Sequence, residues 1–306
     1  MADVTLTYKG STIAELSDSG SKTLNTAGKY CEADIALSYV KPGGGGDADG
    51  IIDGSITSIY NSTVSRIRPY AFYECSSLES AMFPMCETVE DNAFYRCSGL
   101  TAVSFPACTV IGSSAFYTCS GLTAVSFPAC TKIYTHAFCH PYNKYIANLK
   151  HAYFPETTEI SGSYVFCDNQ LLEDCIIPKL SKITGGDGIW LRCSALKSIY
   201  LPNLSKLPNR AFESCWSLSV ATFISCSYIA SSAFAWCHSL FSLYLLGSSV
   251  ASLYNAAIFD NTPIKNSSYY SGVFGSVFVP ESLVNAYKAA KYWSSYADRI
   301  TAYVEE

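Results

Sequence analysis

The sequence predicts a repeat solenoid in which short strands of a parallel β-sheet alternate with helical or 3₁₀ turns. Three observations predict this fold class. An Ala-Phe pair recurs at intervals of 22 residues over long stretches of the chain, a cysteine follows the aromatic residue by three positions in most copies, and a leucine follows that cysteine by three more. A unit of 22 residues cannot close its own hydrophobic core, so successive units have to stack in register to bury it.

The repeated positions define an aromatic column and two cysteine columns. The aromatic column consists of Phe72, Phe94, Phe116, Phe138, Phe166, Trp190, Phe212 and Phe234. The first cysteine column consists of Cys75, Cys97, Cys119, Cys193, Cys215 and Cys237. The second, two residues beyond the position of an apolar–proline pair, consists of Cys86, Cys108, Cys130 and Cys226. We expect these columns to be buried structural ladders, in which each thiol packs as a small apolar group.

The order of residues within one unit predicts its local structure. In residues 100–105 apolar side chains flank small polar ones, which indicates a short strand, and Pro106 ends it because proline has no N–H to donate. Residues 110–112 predict a second apolar segment and a turn. Residues 113–119 predict one helical or 3₁₀ turn that places the aromatic and cysteine columns on its inner side.

This unit closely resembles that of the bacterial BspA-like leucine-rich repeats, which reads Leu-x-x-Ile-x-Ile-Pro, then Val/Ile-Gly, then Ala-Phe-x-x-Cys. The resemblance covers about residues 51–280. It implies a curved solenoid of about nine units with a parallel β-sheet, and a role in adhesion or recognition. The sequence departs from the pattern where Pro141 and Asn169 replace the first cysteine, and where an insertion at residues 139–153 lengthens the fourth unit.

The two ends of the chain depart from the repeat and set the predicted domain boundaries. Residues 1–42 are predicted to form a small β-rich attachment module, because their apolar residues alternate as in strands, and residues 43–54 form a linker rich in glycine and aspartate. Residues 55–279 form the solenoid. Residues 280–306 begin with proline and carry apolar residues at helical spacing, so they are predicted to be a capping helix for the last unit.

Part of the N-terminal segment also resembles a short module at the start of Gram-positive phage and prophage tail proteins. The residues that carry this resemblance are Thr-Leu-Asn-Thr-Ala-Gly-Lys-Tyr-Cys at 23–31 and the Asp-Ile pair at 34–35. The resemblance implies that residues 1–42 attach the chain to a tail or baseplate.

Charge and hydropathy exclude two classes of partner. The net charge is −5 and only 15% of the residues are charged, with no concentrated basic face, so we expect no nucleic-acid partner. Residues 214–259 contain no Asp, Glu, Lys or Arg, only His238, but polar residues interrupt every apolar run before about 18 residues are reached. We therefore expect a soluble protein without membrane insertion.

The first residues lack the basic region and the apolar run of a secretory signal. We expect the protein to be virion-associated and released by lysis, or cytoplasmic, with the cell surface as the alternative. For the 14 cysteines, both compartments favour reduced thiols. An oxidised set is the alternative, although a disulfide between side chains that point the same way in one column requires strained torsions.

One group of residues has side chains that could bind a metal ion. His136, Cys139 and His140 would share one face of a helix, and His151 is available as a fourth ligand for a soft metal ion. His136, however, lies at a variable position of the repeat, and the sequence does not clearly supply a complete ligand set. We expect no metal and no cofactor.

Catalytic motifs are missing from the sequence. It has no glycine-rich phosphate loop, no Gly-x-Ser-x-Gly elbow and no His-Glu-x-x-His pair. Three of the four histidines lie within residues 136–151, which leaves few candidate bases for a Ser-His-Asp triad. Paired carboxylates such as Glu156 and Glu159 are more simply explained as solvated surface. We expect a protein that is not an enzyme.

The tyrosines are the candidate ligand-binding residues, because a surface rich in tyrosine and serine and poor in charge suits recognition of protein or carbohydrate. For any single residue, packing at the rim of the solenoid is the simpler interpretation. The candidates are Tyr73, Tyr95, Tyr117, Tyr142, Tyr145, Tyr153, Tyr200, Tyr244, Tyr269 and Tyr270.

The sequence therefore predicts a non-enzymatic recognition or adhesion protein. Its partner is expected to be a protein or carbohydrate on a bacterial or host surface, with the solenoid binding and residues 1–42 attaching to a tail assembly. The alternatives are a cell-surface adhesin of a gut-type bacterium and an intracellular scaffold for protein–protein interaction.

Overall fold

The computed structural model describes residues 57–140, 147–265 and 273–304, together with the backbone of five strands nearer the N-terminus. The chain divides into two compact units, residues 1–154 and residues 155–306. Each unit is built mainly from short parallel strands, which confirms the predicted solenoid class.

The first unit contains two series of strands that alternate along the chain. Its strands are β1 (Val4–Tyr8), β2 (Ser11–Leu16), β3 (Lys22–Thr26), β4 (Lys29–Ala33), β5 (Leu37–Ser38), β6 (Ser58–Asn61), β7 (Arg66–Ile67), β8 (Ser80–Met82), β9 (Thr88–Val89), β10 (Ala102–Ser104), β11 (Val110–Ile111), β12 (Ala124–Ser126), β13 (Lys132–Tyr134) and β14 (His151–Tyr153). In the first strand series β6, β8 and β10 pair in parallel, as do β12 and β14. In the second strand series β7, β9, β11 and β13 pair in parallel.

The N-terminal strands divide between two sheets. Strand β1 pairs antiparallel with both β2 and β6, so this hairpin extends the first strand series at its leading edge. Strands β3, β4 and β5 form a separate antiparallel sheet. Residues 1–42 thus have the predicted β content, while the boundaries of the predicted module and its linker remain predictions.

The second unit repeats the two strand series and adds short helices. Its elements are β15 (Glu159–Ser161), β16 (Asp174–Ile176), β17 (Lys182–Thr184), β18 (Ser198–Tyr200), β19 (Lys206–Leu207), β20 (Val220–Phe223), β21 (Tyr228–Ile229), β22 (Ser242–Leu245), β23 (Ser252–Leu253), β24 (Ser276–Pro280), a 3₁₀ helix (Glu281–Leu283), α1 (Val284–Ala289), a second 3₁₀ helix (Trp293–Arg299) and β25 (Ile300–Tyr303). Strands β18, β20, β22, β24 and β25 form one parallel sheet, β19, β21 and β23 form another, and β15 pairs with β17.

The turn segment that carries the aromatic column has an alternating hydrogen-bond pattern. Around Phe94, the N–H of Tyr95 donates to the carbonyl of Asn92 at 3.1 Å within the turn, while the N–H of Phe94 donates to Ala115 of the next repeat at 2.8 Å. Asn92 and Arg96 have φ of 57° and 56°, in the left-handed region. Because every second N–H is donated to the next repeat, the predicted helical or 3₁₀ turn takes the form of consecutive hydrogen-bonded turns rather than a continuous helix.

The aromatic column lies in the core of each unit. In the first unit, ring centroids of successive members lie 4.9 to 5.3 Å apart with nearly parallel planes. In the second unit, Trp190 stacks on Phe212 at 4.9 Å, and Phe212 on Phe234 at 5.6 Å. All of these side chains are buried. Stacked rings at this spacing bury large apolar areas and add a favourable pairwise interaction.

The cysteines of the described residues are buried free thiols. In the first column, Cys97 Sγ donates to the carbonyl oxygen of Phe72 at 2.9 Å, and Cys119 Sγ to that of Phe94 at 3.0 Å. Cys215 and Cys237 make the same contact in the second unit. Each thiol therefore satisfies a carbonyl of the preceding repeat while it packs as a small apolar group.

The C-terminal segment covers the last repeat through aromatic side chains. Trp293 Nε1 donates to the carbonyl of Ala251 at 2.6 Å, and the N–H of Ala251 donates to Tyr287 Oη at 3.0 Å. Tyr296 packs edge-on against Phe259 at 5.2 Å. This segment also supplies β25, an additional parallel strand that the sequence did not predict. Within the part of the chain that the structure describes, no helix combines the length and apolar character needed to cross a membrane.

Candidate recognition surface

The outward side of the first strand series carries a row of exposed side chains, which we call the outer strand column. In the first unit its members on β6, β8 and β14 are Tyr60, Met82 and Tyr153, with exposed fractions of 47%, 44% and 44%. Ser104 and Ser126 occupy the same position on β10 and β12. Successive strand residues point to opposite faces, so the neighbouring residues of these strands face the core and the column faces solvent.

The outer strand column of the second unit is more aromatic. Tyr200, Thr222, Tyr244 and Phe278 occupy matching positions on β18, β20, β22 and β24. Tyr244 stacks on Phe278 with ring centroids 4.6 Å apart, and Tyr303 of β25 meets Tyr244 edge-on at 5.9 Å. Tyr200 is 53% exposed. The parallel backbone thus holds apolar rings and hydroxyl groups side by side on one face.

A second group of predicted tyrosines lies on the turn segments of the first unit. Tyr95 stacks between Tyr73 and Tyr117, with centroid distances of 4.8 and 4.9 Å, and all three rings are half-buried. Arg96 lies over the Tyr95 ring at 5.2 Å and pairs with Glu74 at 3.0 Å. Burial, and to a lesser degree the Glu74 carboxylate, raises the pKa of Tyr73. These contacts agree with the simpler interpretation of packing at the rim.

The six predicted tyrosines that the structure describes therefore do not lie on one surface. Tyr153, Tyr200 and Tyr244 belong to the outer strand column, whereas Tyr73, Tyr95 and Tyr117 form the turn stack. The remaining four candidates lie outside the described residues: Tyr142, Tyr145, Tyr269 and Tyr270. The ligand-binding role of all ten stays a prediction.

A cleft of about 640 Å³ opens beside the second strand series of the second unit. Its lining includes Asp187, Lys206, Tyr228 and Tyr254, and a glycine-rich turn at 185–188 borders it. Gly185 and Gly188 have φ of 64° and 55°, which a residue with a side chain adopts only with strain. The described lining residues include no histidine or cysteine, and the tyrosines and polar side chains among them can stack and form hydrogen bonds.

The residues considered for a metal site lie on and after the fourth turn segment of the first unit. Cys139 and His140 are buried, and Cys139 Sγ donates to the carbonyl of His140 at 3.4 Å. His136 is half-buried, burial lowers its pKa, and its φ is 56°. The segment is not a helix, so the shared helical face on which the idea depended does not form. No cluster of three metal-ligating side chains occurs among the residues that the structure describes.

Sequence reasoning missed two kinds of exposed side chain. Exposed Met82 and half-buried Phe278 belong to the outer strand column, but they are not tyrosines and are not among the predicted residues. Trp216 and Trp236 are 54% and 47% exposed on the turn segments of the second unit. A signal was present in the sequence, because tryptophan stands there at positions where other copies have serine or charged residues.

Comparison with known families gives a clear match. Residues 54–173, 142–241 and 163–277 match the family model described as BspA type leucine-rich repeat region. The match begins at residue 54, so it does not connect residues 1–42 with phage tail proteins, and that resemblance stays a prediction. No curated protein sequence matches the chain.

Solved structures of other leucine-rich repeat proteins show only a loose likeness. The T. pallidum leucine-rich repeat protein is 20% identical, with 72% of this chain and 87% of that chain covered and a TM-score of 0.40. A Bacteroides ovatus leucine-rich repeat protein is 18% identical, with 92% and 90% covered and a TM-score of 0.39. A leucine-rich cell surface protein from Faecalibacterium prausnitzii is 16% identical, with 94% and 93% covered and a TM-score of 0.32.

Proposed function

The chain belongs to the BspA-type leucine-rich repeat family, and we propose on this basis that it is a non-enzymatic recognition protein. Its partner is a protein or glycan on a bacterial or host surface, bound through the outer strand column. Proteins built from such repeats typically act by binding, because stacked repeats present an extended and rigid surface.

The observation that carries this proposal is the exposure of the outer strand column. Tyr153 and Tyr200 are 44% and 53% exposed although they stand on hydrogen-bonded strands. Tyrosine supplies a large contact area with few rotatable bonds, and its hydroxyl adds hydrogen bonding, so little conformational entropy is lost on binding. The strand backbone holds the rings before the partner arrives, which lowers the cost of association further.

We propose further that residues 1–42 attach the recognition unit to a phage tail or baseplate. The resemblance of residues 23–35 to tail modules supports this step, and display of many copies on one particle would raise the apparent affinity of a weak single site. A bacterial surface adhesin and an intracellular interaction scaffold are the alternatives.

Binding to whole cells tests the recognition role. We expect the purified, fluorescently labelled chain to bind saturably to at least one strain in a panel of Gram-positive gut-type bacteria or to host epithelial cells. The variants Tyr200→Ala and Tyr153→Ala should bind at least about tenfold more weakly, because aromatic anchors dominate binding energy. Flow cytometry over a concentration series gives the apparent dissociation constants.

Tyr254→Ala is the matched control for this experiment. Tyr254 is 58% exposed, but it lines the cleft beside the second strand series. Unchanged binding of this variant together with weakened binding of Tyr200→Ala supports the outer strand column. The reverse result would move the site to the cleft, and saturable binding to none of the cells would contradict the recognition role on these surfaces.

Immunogold electron microscopy tests the attachment of residues 1–42. Antibodies against the chain should label tail tips in lysates induced from a lysogenic strain that encodes it. Label on the bacterial envelope instead would favour the surface adhesin, and label restricted to the cell interior would favour the scaffold.

A further inference from the structure

Two exposed tryptophans and a histidine form a compact group on the turn segments of the second unit, which we call the indole cluster. The Trp216 ring lies parallel to His238, with centroids 6.2 Å apart and an interplanar angle of 8°. Trp236 meets the same imidazole edge-on at 6.0 Å. Both indoles are about half exposed, whereas Trp190 and Trp293 are fully buried. Trp216 and Trp236 thus differ in exposure from the two tryptophans in the core of this unit.

The backbone explains why the two indoles are exposed. Trp216 directly follows Cys215 and Trp236 directly precedes Cys237, and these buried cysteines hold the turn against the core. The side chains of the two tryptophans point away from the core towards solvent. Their positions are fixed by the repeat and not by a flexible loop.

The repeat that precedes each tryptophan places a small residue beside it. Ser194 holds the position of Trp216 in the preceding repeat, and its carbonyl accepts the N–H of Ser217 at 3.0 Å. Ser214 holds the position of Trp236, and its N–H donates to the carbonyl of Ala235 at 2.9 Å. A serine cannot cover the face of an indole ring. This small neighbour agrees with the exposed fractions of the two side chains, 54% for Trp216 and 47% for Trp236.

The chemistry around the cluster specifies an uncharged ligand. Residues 214–259 contain no Asp, Glu, Lys or Arg, so the imidazole of His238 is the only group of the cluster that can carry a charge. An indole face carries a negative quadrupole, which attracts the polarised C–H groups on the apolar face of a pyranose ring. His238 and the neighbouring serines supply donors and acceptors for hydroxyl groups. A flat ring with C–H groups on its faces and hydroxyls at its edge matches this arrangement.

We propose that the indole cluster is a binding subsite for a neutral pyranose glycan, with sugar rings stacked on Trp216 and Trp236 and a hydroxyl group bound at His238. The site lies on the turn segments, whereas the outer strand column lies on the strands of the first strand series. Glycan binding at the indole cluster would be a second binding activity, and it does not depend on ligand binding at the outer strand column.

Tryptophan fluorescence of the full chain tests the proposal with three defined probes: cellohexaose, chitohexaose and a mannohexaose. We expect at least one of them to shift or quench the emission saturably, since Trp190 and Trp293 are buried and the exposed pair dominates any change. Calorimetric titration of Trp216→Ala and Trp236→Ala should show affinity at least about tenfold lower than in the unchanged chain. Trp236→Tyr, which keeps an aromatic platform, should retain part of the affinity.

Tyr254→Ala is the matched control, because Tyr254 is as exposed as Trp216 but lines the cleft beside the second strand series. Its oligosaccharide affinity should equal that of the unchanged chain. Thermal unfolding of each variant verifies that the fold is retained, which is expected for half-exposed positions.

Three results would overturn the proposal. No saturable response to any of the three oligosaccharides is the first, and equal affinity of the double variant Trp216→Ala/Trp236→Ala is the second. The third is cell binding that depends on both tryptophans and disappears after protease treatment of the cells, but survives periodate oxidation of their glycans. That last result would assign the cluster to a protein partner and leave the proposed recognition role intact.

Discussion

At the scale of single residues, the aromatic column and its cysteines are part of the buried core that each repeat shares with its neighbours. Phe116 is buried between Phe94 and Phe138, at 5.2 and 5.3 Å, and also packs against Phe127 at 5.6 Å. Each ring thus contacts the repeat on either side. The stability of one repeat consequently depends on the side chains of its neighbours.

Replacement of Phe116 by alanine should therefore destabilise the protein strongly. We expect Phe116→Ala to lower the free energy of unfolding by about 3–5 kcal/mol, because it leaves a cavity that a regular stack cannot close. Phe116→Leu should cost clearly less, since it keeps most of the buried volume. Urea unfolding followed by circular dichroism measures both changes.

Tyr117→Ala is the matched control for this prediction. Tyr117 is the next residue along the chain, but it is half-buried in the turn stack. Its loss should cost much less than the loss of Phe116. Equal unfolding midpoints for the two alanine variants would show that the aromatic column is not the main source of stability.

At the scale of elements, the turn segment is the part of the repeat that is neither a strand nor a regular helix. It needs left-handed residues on both sides of the aromatic position, such as Ser114 and Thr118 with φ of 54° and 58°. Residues with a side chain adopt this region at a cost, and β-branched residues least readily. The hydrogen bonds donated to the next repeat offset that cost in the native state.

The left-handed position predicts a specific sensitivity to side-chain type. We expect Ser114→Val to destabilise the protein by about 1–2 kcal/mol, because a β-branched side chain clashes with its own backbone at positive φ. Ser114→Asn should be nearly neutral, since asparagine tolerates this region. Thermal unfolding of both variants checks the expectation, and a neutral valine variant would contradict it.

The C-terminal cap is the second element whose role is testable. Trp293 is fully buried and donates to the Ala251 carbonyl, so Trp293→Ala removes both apolar burial and a hydrogen bond. We expect a loss of about 3–5 kcal/mol in the free energy of unfolding. Trp216→Ala is the control of identical chemistry at an exposed position. Similar losses for the two variants would argue against a capping role.

At the scale of the whole molecule, the buried thiols should make the free energy of unfolding fall as the pH becomes alkaline. Burial raises the pKa of Cys86 and Cys226 from 9.0 to about 11 each. Below pH 9 both the native and the unfolded chain keep these protons, so the contribution to stability is fully present. As pH rises from about 9 towards 11, the unfolded chain loses protons that the native chain retains, and stability falls.

Unfolding midpoints should accordingly be equal at pH 7 and 8 and lower at pH 10. Each such thiol contributes a loss of about 1 kcal/mol at pH 10, because one pKa unit corresponds to about 1.4 kcal/mol. Urea titrations under reducing conditions measure the trend. The double variant Cys86→Ala/Cys226→Ala should show a smaller fall between pH 8 and pH 10, and a fall of unchanged size would assign the effect to other groups.

The sequence by itself determined the repeat, the buried columns and the places of most strands. This was possible because neighbours in a solenoid are one repeat apart, so a residue pattern with a period of 22 maps directly onto contacts between adjacent turns. Phe94, for example, was expected to lie against the next aromatic residue, and its ring stacks on Phe116.

Only the tertiary structure decided the form of the turns and the identity of the exposed clusters. The left-handed residues follow from hydrogen bonds donated to the next repeat, and the residue pattern does not record them. Tyr200 joined the outer strand column, whereas Tyr95 joined the turn stack, because side-chain direction depends on the strand or turn that carries the residue. The indole cluster contains Trp216, which follows Cys215, and Trp236, which precedes Cys237 in the next repeat. Trp236 lies two residues from His238 in the same turn, whereas Trp216 reaches that imidazole only because neighbouring repeats stack.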